Sequence, residues 1–73
     1  SNLTLYRQGD VLMAVFPAVS AGEAITLYDA SGRVIATQAV RPGATTATID
    51  VATLPAGVYI ARMGNGATSK IVI

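Results

Sequence analysis

Leu54-Pro55-Ala56-Gly57-Val58-Tyr59-Ile60-Ala61-Arg62-Met63-Gly64-Asn65-Gly66-Ala67-Thr68-Ser69-Lys70-Ile71-Val72-Ile73 decides the fold. Leu54 to Gly57 reads as a corner, because proline and glycine interrupt the apolar pattern. Val58 to Met63 is apolar on both alternating faces, and Arg62 settles which face is wet. A charge prefers water, so Tyr59, Ala61 and Met63 point inward. Gly64-Asn65-Gly66 is a tight hairpin signal. Thr68 to Ile73 then alternates, with Ile71 and Ile73 inward and Lys70 outward. A corner, a strand, a hairpin and a strand are β chemistry with no helical period.

The same grammar runs upstream. Leu3 to Tyr6 alternates, with Leu3 and Leu5 on one face, and Arg7-Gln8-Gly9-Asp10 reads as a hairpin turn. Val11 to Phe16 is apolar on both faces, which predicts a central strand. Pro17 and Ser20 to Glu23 form a loop. Ala24 to Tyr28 puts Ile25 and Leu27 together. Asp29-Ala30-Ser31-Gly32 suits a type I turn: the Asp29 carboxylate caps it and Gly32 takes positive φ. Arg33 to Gln38 returns, Arg41-Pro42-Gly43 suits a type II turn, and Thr45 to Val51 alternates with Ala47, Ile49 and Val51 inward. Seven short strands with turn signals every eight to twelve residues predict an all-β, small immunoglobulin-like β-sandwich of antiparallel strands. The antibody cysteine pair and core tryptophan are missing, so only the architecture is expected.

Composition limits the chemistry. Seventy-three residues make one domain, 1–73, with Ser1-Asn2 reading as a cloning scar. A chain of 7.4 kDa should fold to a surface of about 4,200 Å². That is one thin core and little room for a deep pocket. There is no cysteine and no histidine, so neither a disulfide nor a structural zinc site is expected, and stability must come from apolar packing. The net charge is +1. Its charges are scattered singly, without the basic stripe that tracks a nucleic-acid backbone. No apolar run approaches the length of a membrane span.

Nothing assembles a catalytic centre. The four carboxylates, Asp10, Glu23, Asp29 and Asp50, fall in separate turns and strands, and general acid–base work uses a histidine or a carboxylate pair. Ser69 and Lys70 are neighbours on a strand and point to opposite faces, so they cannot form a dyad. Gly64-Asn65-Gly66 lacks the following helix of a phosphate cradle. The chain reads as a non-enzyme with no cofactor. Tyr6, Tyr28 and Tyr59 are more economically core aromatics than a sugar-stacking platform. Tyr59 has a further role available: its hydroxyl can tie back to the Leu54–Pro55 corner, much as in a tyrosine corner.

Three stretches in order, Leu27-Tyr28-Asp29-Ala30-Ser31-Gly32-Arg33-Val34-Ile35, Ile49 to Ile60 with its Leu54-Pro55-Ala56-Gly57-Val58-Tyr59, and Lys70-Ile71-Val72-Ile73, resemble the C-terminal sorting domain of the type IX secretion system of Bacteroidota. The resemblance covers roughly Glu23 to Ile73. The Tyr-Pro-Asn-Pro-like opening of many family members is echoed only by Phe16-Pro17. The resemblance implies a parent protein that enters the periplasm by a signal peptide. There its folded C-terminal domain is read by the outer-membrane translocon, and at the cell surface a sortase-like peptidase acts on most cargo. It implies recognition through Tyr28, Asp29, Gly32, Arg33, Leu54, Pro55, Gly57, Tyr59, Lys70, Ile71, Val72 and Ile73, with the β-hairpin of Gly57 to Met63 and Ser69 to Ile73 as the recognised element. A free edge at the last strand recruits partners by strand addition, and also admits a strand-paired or swapped homodimer of the isolated domain. Lys70 and Arg33 should point to water, so they test signal apart from fold. Two other readings stand beside it: an accessory immunoglobulin-like module for adhesion or glycan binding, and a docking domain retained by a component of the secretion machinery.

Overall fold

The computed structural model describes residues 2–73; Ser1, half of the expected cloning scar, lies outside them. Seven strands follow one another among the described residues: β1 (Thr4–Gln8), β2 (Val11–Val15), β3 (Glu23–Asp29), β4 (Val34–Val40), β5 (Thr46–Asp50), β6 (Val58–Met63) and β7 (Thr68–Val72). They form two antiparallel sheets, one ordered β1-β2-β5 and the other β4-β3-β6-β7. The sheets face each other, with β1 beside β7 along one side and β4 beside β5 along the other. The immunoglobulin-like sandwich expected from the strand and turn spacing is what forms.

Period-two alternation builds the core. β6 alternates strictly between exposed and buried positions, with Tyr59, Ala61 and Met63 inward. Arg62 therefore sets the face as expected. Leu12 and Ala14 of β2, Ile25 and Leu27 of β3 and Ile49 of β5 meet them, and Leu3, Phe16, Val19, Val40 and Val51 close the ends. Among the described residues no polar or charged residue is buried. The folded surface of 4283 Å² matches the size expectation.

Two local expectations are corrected. The first hairpin turns at Gly9-Asp10 alone, because Gln8 already pairs with Val11 and Arg7 with Leu12. Gly9 has φ 60 and, among the described residues, no non-glycine residue has positive φ, which fits the type II′ requirement for a two-residue loop. The Arg7 Nε donates to the Gly9 carbonyl at 2.8 Å, so Arg7 braces the turn from within the strand. β2 is central in its sheet, as expected, but only Leu12 and Ala14 are buried while Val15 is exposed. Its second apolar face, Val11, Met13 and Val15, lies on the outside of the sandwich, where Tyr6 faces Met13 across the β1–β2 pair.

Candidate functional site

The three stretches singled out in the sequence come together around β3 and β6, whose pairing sets Tyr28 opposite Ile60 and Asp29 opposite Tyr59. The β3–β4 loop is closed by Asp29. Its Oδ1 accepts from the Ser31 amide at 2.9 Å, the Ser31 hydroxyl at 2.6 Å and the Arg33 amide at 3.0 Å. The Gly32 amide donates to the Asp29 carbonyl at 3.0 Å and the Asp29 amide to the Arg33 carbonyl at 3.0 Å. Gly32 sits at φ 90, a conformation that side-chain-bearing residues rarely take. The Arg33 Nε lies 3.4 Å from Asp29 Oδ2, but the Arg33 side chain is 76% exposed, so this ion pair adds little to stability.

The Asp29 carboxyl is held below its ordinary pKa, first by the Ser31 hydroxyl, then by the Arg33 amide, with burial opposing them and the Ser31 amide and Arg33 charge adding to them. A depressed carboxylate stabilises the fold above its unfolded pKa of about 3.9, and that contribution is lost as pH falls through the lower folded value. The expected outcome is that the Ser31 and Arg33 amide resonances titrate together with a midpoint below about 3.9. A midpoint at or above that value would contradict the capping role.

The corner is tied by Tyr59. Its ring is buried and its hydroxyl donates to the Pro55 carbonyl at 2.6 Å, a tie back to the Leu54–Pro55 corner as expected. Tyr59→Phe should cost about 1 kcal/mol, the net worth of one such bond. In a domain of this size that lowers the melting temperature by roughly 4–8 °C; an unchanged melt would show the bond to be idle. The Leu54 amide donates to the Val51 carbonyl at 3.2 Å, and Gly57 exchanges both backbone bonds with Ile73, each 2.8 Å. Through that pair the corner and the strand after the last hairpin become one element. The hairpin itself repeats the β3–β4 design: the Met63 amide donates to the Ala67 carbonyl, the Gly66 amide to the Met63 carbonyl, and Gly66 has φ 92.

A shallow groove of about 380 Å³ runs between the Asp29 to Arg33 loop and the Leu54 to Tyr59 corner. Among the described residues no cluster of three or more His, Cys, Asp or Glu could hold a metal ion. The groove offers peptide groups, one paired carboxylate and an exposed guanidinium.

The family described as "Secretion system C-terminal sorting domain" matches residues 9–73. The chain belongs to that family. It is a C-terminal sorting signal for type IX secretion. The match starts well before Glu23, where the motif resemblance begins, and leaves β1 outside. The sorting domain implies interaction with the type IX secretion machinery and export to the cell surface or secretion. The family is not one of enzymes. No curated protein matches the sequence. Among solved structures, a DUF3244 family protein from Bacteroides vulgatus, described as having an immunoglobulin-like β-sandwich fold, superposes with a TM-score of 0.74 at 20% identity. The superposition covers 99% of this chain and 84% of that one, and it speaks for the fold. No helix of the described residues is long and apolar enough to cross a membrane.

The geometry divides the twelve expected recognition residues of the sorting domain. Asp29 and Gly32 close a loop, Tyr59 is core, and Leu54, Ile71 and Ile73 pack partly buried against it. Arg33, Pro55, Lys70 and Val72 are exposed, and Tyr28 is half-buried on the outer face of its sheet. Gly57 belongs to neither group. Unlike Gly32 and Gly66 it does not have positive φ, and a Cβ there would meet only the Tyr59 ring, at 3.9 Å. Gly57→Ala should therefore leave the melting temperature unchanged or slightly raised, because alanine restricts the unfolded chain; a fall of 10 °C or more, roughly 2 kcal/mol, would contradict this. Val34, Val58, Ile60 and Arg62 share the outer face with Tyr28, Lys70 and Val72 and were not among the expected residues. Their signal was present in the apolar side chains at the outward positions of β6.

Proposed function

We propose that this domain carries its parent protein through the type IX outer-membrane translocon by protein–protein recognition, after transit through the periplasm. The readable residues in this proposal are Tyr28, Arg33, Pro55, Gly57, Lys70 and Val72, with Asp29, Gly32, Leu54, Tyr59, Ile71 and Ile73 holding them in place. The observation that carries it is the convergence of all three motif stretches on the β3–β6–β7 side of the sandwich, where Tyr28, Ile60 and Lys70 stand in one cross-strand row. A sortase-like peptidase at the surface completes the route for a cleaved parent. β7 borders only β6 within its sheet, and edge strands are where strand addition by the translocon or by a second copy takes place.

The test is export of a fluorescent reporter carrying a signal peptide and this domain in a bacterium with the type IX system. The control replaces the domain with the DUF3244 family sandwich, which has the same fold at 20% identity. Surface or medium fluorescence with this domain alone supports the proposal. Retention in the periplasm with both, while both domains are folded, overturns it.

A further inference from the structure

Tyr28 on β3 stands opposite Val34 on β4 and Ile60 on β6; Ile60 stands opposite Lys70 and Val58 opposite Val72 on β7. Tyr28, Val34, Val58, Ile60 and Val72 thus place apolar side chains on the outer face of all four strands of the larger sheet. Val34 is 57% exposed, Val58 39%, Ile60 40% and Val72 69%. Arg62 and Lys70, both exposed, flank the patch as diagonal neighbours on β6 and β7. Arg62 and Tyr28 also line a shallow groove with Ala24, Thr26 and Gly64.

Among the described residues no carboxylate pairs with either of these two cations. Glu23 and Asp29 occupy the inward-alternating positions at the two ends of β3, the Glu23 carboxylate lying beside Gly64, and Asp50 lies on the other sheet, with Asp10 in the turn beside it. The one ion pair among the described residues is Arg33 with Asp29. A lysine on an edge strand has an ordinary use as a guard against aggregation. That use explains Lys70 and leaves Val58, Ile60 and Arg62 on the interior strand β6 unexplained. An apolar patch with a charged rim is the anatomy of a protein-docking surface.

We infer that the outer face of the β4-β3-β6-β7 sheet docks onto a protein surface of the secretion machinery that presents an apolar centre bordered by carboxylates. Ile60 and Tyr28 fill the centre, and Arg62 and Lys70 pair with the acids. The inference rests on the sorting role and adds to it the chemistry of the partner. Charge selects an acidic partner, and the four aliphatic side chains select a protein over a bare polyanion. The opposite face, with Tyr6, Val11, Met13 and Val15 beside Asp50, carries no cation on its strands' outward positions and serves as the internal control.

The experiment uses four variants, R62E/K70E, I60S, the double neutralisation R62Q/K70Q and, on the control face, V15S, each first checked for an unchanged cooperative melt. Reporter export is measured for each, and the purified domains are titrated with detergent-solubilised type IX outer-membrane translocon at about 50 mM and about 500 mM NaCl, either side of physiological screening. Export and affinity should fall roughly tenfold for R62E/K70E and I60S and less for R62Q/K70Q, with V15S within about twofold of wild type and wild-type binding weakened by salt. Full export by folded R62E/K70E and I60S overturns the inference while leaving the sorting role intact. Loss of export by the wild-type domain itself overturns the sorting role and the inference with it. Binding to lipopolysaccharide vesicles but not to the translocon, abolished by R62E/K70E, overturns it in favour of an anionic lipid. A wild-type dimer dispersed by I60S overturns it in favour of a second copy.

Discussion

Removal of Lys70 to Ile73 is expected to unfold the domain, not merely to delete a label. The cut takes away Val72 opposite Val58, Ile71 opposite Tyr59 and Lys70 opposite Ile60, together with both bonds between Ile73 and Gly57. Ile71 and Ile73 pack against the core, and, each being more than half buried, they contribute together roughly 2–5 kcal/mol. The bare edge of β6 then exposes the inward Tyr59 and a ladder of unpaired backbone groups, each worth about 1 kcal/mol. A domain of this length has about 4–11 kcal/mol in total, so the loss is comparable with the whole. Circular dichroism should show no cooperative melt for the truncated chain and protease should digest it. A truncated chain that melts within a few degrees of the intact one would contradict this picture. The consequence for function is direct: a lost signal after such a truncation reports the fold before it reports recognition.

Leu27→Ala is the second large effect. Leu27 is fully buried on β3, an interior strand flanked by β4 and β6, opposite Ala36 on one side and Ala61 on the other. Alanine on both flanks leaves no large neighbour within the sheet to fill the space. The substitution should cost about 3 kcal/mol, within the usual range for a buried leucine, and so a large part of the expected stability. Tyr28→Ser, one residue along on the outer face, should cost about 1 kcal/mol through its cross-strand pairs with Val34 and Ile60. Chemical denaturation of the two variants checks the contrast. Equal losses would mean that the alternation of β3 does not divide core from surface.

Much of the fold was legible because single residues forced choices. Arg62 had to reach water, and that fixed the facing of Tyr59, Ala61 and Met63. Gly32, Gly43 and Gly66 each announced a turn that needs positive φ. Tyr59, two residues after Gly57, offered a hydroxyl within reach of the Leu54–Pro55 corner, and the bond to the Pro55 carbonyl forms. The partition into three and four strands was not legible, because β2 pairs with β5 and β3 with β6 across long stretches of chain, and local pattern carries no such register. The same limit applies to the site. Its residues could be named one motif at a time, but their convergence follows from the β3–β6 register. Gly57 looked like another turn glycine; its backbone conformation shows that the fold does not demand it. The outward valines and isoleucine of β6 were visible in the sequence, but an apolar residue on a wet face becomes informative only when its cross-strand neighbours are known.

The central claim is that the domain is recognised through surface residues that the fold does not need. The most direct measurement pairs the melting temperature of the purified domain with export of the signal-peptide reporter for one combined variant, Arg33→Gln, Lys70→Gln and Val72→Thr. All three side chains are exposed, so the melt should stay within about 4 °C of wild type, the shift of a fraction of a kcal/mol. Export should fall to roughly a tenth, the loss of about 1.4 kcal/mol of binding. Full export by the folded variant would contradict the account and leave the fold itself, or other residues, as what the machinery reads.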